Sequence, residues 1–170
     1  MHRSARTSFT IFSTALCAWG CSLTPTAATP DPPPDFSIAV TVLAPPSNDA
    51  PGVPISARPM RLLLEPDGSL RAGVGPGADL DTYPERVRTL TADQVSEAYK
   101  LALDEGLLDP ANPDRREGNP RESTDRRGGI THVVEIRAHT DRWYVLLDGG
   151  DDRASTPMVE RLAEWSYLRE

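Results

Sequence analysis

Between Ser22 and Asp35 the chain reads SLTPTAATPDPPPD, with five prolines in fourteen residues. Proline fixes φ and removes a backbone donor, so this stretch can form neither a helix nor a central strand. It is expected to run extended, partly as polyproline II, at about 3 Å per residue. It divides the chain into a leader (residues 1–20), a tether (21–35) and a remainder (36–170) whose length suits a single folded domain. The tether reads as a spacer; a ligand for a proline-recognition domain is the alternative.

His2, Arg3 and Arg6 give the leader a basic start, and Thr7 to Trp19 carries no charge. That run is too short for the ~30 Å hydrocarbon core of a bilayer and suits the apolar region of a signal peptide. The four residues at its end, Ala18-Trp19-Gly20-Cys21, resemble the bacterial lipobox, in which a small residue precedes a cysteine that is lipidated before cleavage. Gly20 and Cys21 match that pattern; Ala18 stands where leucine is usual, and Trp19 where a small or aliphatic residue is usual. The resemblance implies a signal peptide over 1–20 and a membrane-anchored lipoprotein held by acyl chains on Cys21. More than one chain is needed for stable anchoring. Ser22 lies where an aspartate often retains such proteins in the inner membrane, so the resemblance favours the outer membrane, on the periplasmic or extracellular face. A cleaved, soluble exported protein is the alternative. The other cysteine, Cys17, lies in the leader, so the domain has no cysteine for a disulfide and must stand on its core alone.

Phe36 to Leu43 mixes alternation with β-branched residues and predicts a strand. Residues 44–57 read as loop. Arg61–Leu64 and Ser69–Val74 flank Pro66-Asp67-Gly68, a turn signal in which proline presets φ and glycine accepts a positive one, so a hairpin is expected. Residues 75–89 read as loop. Thr91 and Gln94 are spaced as a capping box, Leu90 and Val95 as a hydrophobic staple, and Gly106 as a stop, predicting a helix over 92–105. Residues 109–129, charged and rich in proline and glycine, read as a long loop. Ile130–Ala138 and Arg142–Asp148 predict a second hairpin, and Thr156-Pro157 opens a last helix. The order β-ββ-α-ββ-α argues for an α+β domain: a mostly antiparallel sheet of two hairpins plus an N-terminal strand, with two helices packed on one face. The segments RLLLEPDGSL (61–70) and LTADQV (90–95) are similar to those of small bacterial lipoprotein domains of unassigned function. That resemblance bears on the fold and implies no activity.

The chain carries a formal net charge of −7, which argues against general nucleic-acid binding. Lys100 is the only lysine; every other basic side chain apart from the histidines is arginine. No Walker A, GxGxxG, HExxH, GxSxG or CxxC pattern occurs, so no cofactor or metal is expected. His132 falls on the apolar side of its predicted strand, which suits a hydrogen-bonded core histidine; a catalytic role with Glu135 or Asp148 is the alternative. His139 falls at the hairpin turn. Asp148, Asp151 and Asp152 could offer oxygens to a hard cation, or form a solvated turn. Asp79, Asp81 and Glu85 form a similar acidic loop. Residues 114–127 place Arg115, Arg116, Arg121, Arg126 and Arg127 among four acidic residues, a self-neutralising loop or a contact for lipid headgroups or an anionic envelope polymer. The chain therefore reads as a non-catalytic binding or interaction module at the cell envelope. An envelope hydrolase of unrecognised type, or a structural part of an envelope complex, are the alternatives.

Overall fold

The computed structural model describes residues 30–124, 129–148 and 156–166. The leader, Cys21, most of the tether, Asp151 and Asp152 lie outside the described residues, as do Arg126 and Arg127. The architecture is α+β: a seven-stranded sheet in which every neighbouring pair is antiparallel, with three helices. The strands are β1 (Ser37–Leu43), β2 (Met60–Leu64), β3 (Ser69–Val74), β4 (Arg86–Thr89), β5 (Arg115–Arg116), β6 (Thr131–Ala138) and β7 (Asp141–Asp148), in spatial order β4-β3-β2-β1-β6-β7-β5. The helices are α1 (Ala92–Asp104), α2 (Arg121–Thr124) and α3 (Thr156–Trp165).

The two expected hairpins, β2–β3 and β6–β7, flank β1 as the central strand. The first turns where the sequence signalled it: Gly68 takes φ +79°, and the Asp67 carboxylate accepts a bond from the Ser69 amide at 2.9 Å. The second turns through His139 and Thr140, both at positive φ (53° and 72°), a conformation that side-chain-bearing residues seldom adopt. Here the end of the tether supplies the compensation. The Asp35 carboxylate accepts the His139 and Thr140 amides at 3.0 and 2.7 Å. The Thr140 amide foremost, then that of His139, holds the Asp35 carboxyl below its ordinary value.

Helix α1 begins with the expected capping box: the Gln94 amide donates to Thr91 Oγ1 and the Thr91 amide to Gln94 Oε1. It ends in a Schellman arrangement, with Gly106 at φ +69°, its amide bonded to Leu103 O and the Leu107 amide to Ala102 O. Glu105, at that C-terminus, accepts the Met158 amide of α3 at 2.9 Å, so the end of one helix satisfies an orphan donor at the start of another.

Alternation sorts the sheet. Ile38, Val40 and Val42 of β1, Met60, Leu62 and Leu64 of β2, Val134 and Ile136 of β6, and Trp143, Val145 and Leu147 of β7 belong to one buried apolar cluster. Ala98, Tyr99 and Ala102 of α1 and Met158, Val159 and Leu162 of α3 belong to the same cluster. Phe36 meets Tyr99 edge-on, ring centroids 5.0 Å apart, and Trp143 Nε1 donates to Leu107 O at 3.0 Å.

Three expectations are corrected. Residues 86–89 are not loop but strand β4, an exposed edge held by hydrogen bonds to β3 and not by burial. The segment 109–129 is not structureless: β5 pairs with β7, and α2 follows it. The element order is accordingly longer than β-ββ-α-ββ-α. Both edge strands are short and carry arginines, which discourages pairing with another sheet.

Candidate functional site

The residues that alternate with the core positions lie on the second face of the sheet. Register fixes three rows there. Ser37, Arg137 and Arg142 stand side by side; next come Leu63, Ala39, Glu135 and Tyr144; then Arg61, Thr41, Val133 and Leu146. Part of this face is covered: Val133, Tyr144 and Leu146 form a small second cluster with Leu43 and with Leu80 from the 75–85 segment. Helix α2 leans on the same part through Ser123 Oγ, 2.9 Å from the Tyr144 hydroxyl, and through an Arg121–Asp81 ion pair.

The rest of the face holds a cleft of about 240 Å³ lined by Ser37, Ala39, Arg61, Leu63, Glu135, Ile136, Arg137 and Arg142. Small side chains on the central strand, Ser37 and Ala39, stand among arginines from its neighbours. Arg61 is 9% exposed; its Nη1 donates to Thr41 Oγ1 and its Nη2 to Glu135 Oε1 at 3.0 Å, while its buried Nε has no partner. The other Glu135 oxygen accepts Arg142 Nη2 at 3.1 Å. Arg137 and Arg142 have exposed side chains at the rim, and Arg137 Nε lies 3.8 Å from Asp35 Oδ2. The lining thus holds three guanidinium groups and one carboxylate, on an acidic protein.

Of the residues singled out from sequence, Glu135 lines this cleft and the others that the structure describes fall elsewhere. His132 is 1% exposed, on the core face, and its Nε2 bonds the Ser56 carbonyl oxygen at 2.7 Å. Burial lowers its pKa and favours the neutral ring; the hydrogen bond to the Ser56 carbonyl opposes that shift. Glu135 is three residues from His132 along a regular strand, hence on the opposite face. Asp148 pairs with Thr131, whereas His132 pairs with Leu147, so Asp148 also faces away from the histidine. The even spacing of 132 and 148 does not bring them together, and the acid–base pair contemplated for a hydrolase is not assembled. Asp79 is engaged in its own loop, its carboxylate accepting the Asp81 and Thr82 amides at 2.9 and 3.0 Å. Arg115 lies over the Trp143 ring at 4.1 Å. Among the described residues, no group of three or more His, Cys, Asp or Glu side chains is placed to hold a metal ion.

Sequence reasoning missed the Arg61–Glu135–Arg142 network because its members come from three strands. One signal was present: Val133, Glu135 and Arg137 alternate with apolar residues in β6, which marks Glu135 and Arg137 as sharing the non-core face.

No protein-family profile matches the chain, and no curated protein matches it in sequence.

Proposed function

We propose that this protein is an exported, lipid-tethered binding module of the cell envelope. Residues 1–20 act as its signal peptide, Cys21 carries the anchor, and residues 22–35 hold the domain away from the bilayer. The lipobox-like leader and Ser22 support placement on the outer membrane, facing the periplasm or the exterior. In this reading α1 and α3 form the covering layer on one face of the sheet, and the opposite face is the working surface. A single observation carries the binding role: the second face combines a cleft with a buried, hydrogen-bonded Arg61–Glu135 pair and two exposed arginines. A firmly held polar floor beneath exposed cationic side chains suits recognition. Among the described residues it shows no nucleophile hydrogen-bonded to an adjacent base.

The anchor is tested by fractionation. Wild-type chain is expected in the membrane fraction, with a mass increased by acyl chains. Cys21→Ser is expected to lose both that mass and stable membrane attachment. An unchanged location and mass in the variant would contradict the anchor.

A further inference from the structure

Arg137 and Arg142 are directly opposite one another in the β6–β7 register, on the same face. Like charges in that relation repel, and sheets usually avoid them. Glu135 offsets the conflict only in part. Its two oxygens are divided between Arg61 and Arg142, at 3.0 and 3.1 Å. Asp35 offsets it only in part: it pairs with Arg137 Nε at 3.8 Å while its oxygens also take the two turn amides, so three guanidinium groups face two carboxylates. The cleft therefore keeps an excess of positive charge beside a small apolar wall formed by Leu63 and Ala39. Planar guanidinium forks match the geometry of phosphate and carboxylate groups, which accept two parallel hydrogen bonds from each fork.

We propose that this cleft binds a small organic oxyanion, a phosphate ester or a carboxylate. Arg137 and Arg142 clasp the anionic group, and the short apolar part of the ligand rests against Leu63 and Ala39. Arg61, locked by Glu135 and Thr41, fixes the floor and is a positioning residue. The inference deepens the binding-module reading and rests on it.

The test is thermal unfolding of the full chain in detergent, with 10 mM-scale glycerol 1-phosphate or succinate against sodium chloride at matched ionic strength, about ten times the dissociation constant of a weak site. At least one anion is expected to raise the midpoint by roughly 2–4 °C over chloride. Protection by the phosphate ester assigns that class, and protection by succinate alone assigns the carboxylate class. The double variant Arg137→Gln/Arg142→Gln, altered only at exposed side chains, is expected to lose the shift. Its midpoint without ligand should equal or exceed that of wild type, because the opposed charges are gone. A purely structural role for these arginines would instead lower that midpoint. No protection beyond chloride from either anion overturns the inference. If a photo-reactive side chain at Leu63 still captures a ligand in cells, the binding face stands without the anion; if it captures none, both fall.

Discussion

Glu135→Ala is expected to cost about 3–5 kcal/mol of folding stability, the largest effect of any single substitution on the second face. The reason is not the loss of an attraction alone. Arg61 is 9% exposed, and its guanidinium already leaves a buried Nε without a partner. Removing Glu135 strands a buried charge that, among the described residues, keeps a hydrogen bond only to Thr41. The double variant Arg61→Leu/Glu135→Leu removes both charges and is expected to lie within about 1 kcal/mol of wild type or above it, because the paired charges paid a desolvation cost to be there. Arg142→Ala, at an exposed side chain, is expected to change stability by less than about 1 kcal/mol. Urea unfolding of the four proteins checks the set. A Glu135→Ala loss below about 1 kcal/mol would show that Arg61 escapes to solvent and that the floor of the cleft is not held by this pair.

The second large effect concerns pH. Burial raises the Glu105 carboxyl from 4.5 to about 7; the Met158 amide opposes the rise and Asp104 adds to it. In the unfolded chain the group titrates near its ordinary value. Between the two pKa values the folded state retains a proton that the unfolded state has released. The resulting stabilisation is complete below the unfolded pKa and is lost as pH rises through about 7. The full shift corresponds to about 3 kcal/mol, and partial exposure of the side chain screens this to about 1–2 kcal/mol. Glu105→Gln keeps an oxygen for the Met158 amide and cannot titrate. Wild type is therefore expected to lose about 1–2 kcal/mol more than Glu105→Gln between pH 5 and pH 8. His132 works in the other direction, since its lowered pKa costs stability as pH falls below its ordinary value of 6.5. It is common to both proteins and cancels in the comparison. Parallel stability profiles across that range would contradict the assignment to Glu105.

What could be read from the sequence were the elements whose signals are local. Thr91 with Gln94, Gly106, and Asp67-Gly68 each act within a few residues of themselves, and each appears where expected. Strand β4 lacked such a signal. Val87 is 42% exposed, so Arg86–Thr89 buries no apolar stripe, and its pairing with β3 is a tertiary event. The site was harder still. Arg61 sits in the run Met60-Arg61-Leu62-Leu63-Leu64, where neighbouring leucines mask the alternation, and its partner is 74 residues away. His132 drew attention through its chemistry, yet one position along β6 decides between the core and the cleft. Glu135 and Arg137 fall on one side of that choice and His132 on the other.

The claim that the second face is the working surface is tested most directly by photo-cross-linking in intact cells. A photo-reactive residue would be placed at Leu63, in the cleft, and in a separate protein at Leu103, exposed on α1. Intact-mass analysis of the recovered chains is expected to show an adduct of defined mass at position 63 and none at position 103. An adduct confined to position 103 would move the binding surface to the helical side and contradict the account.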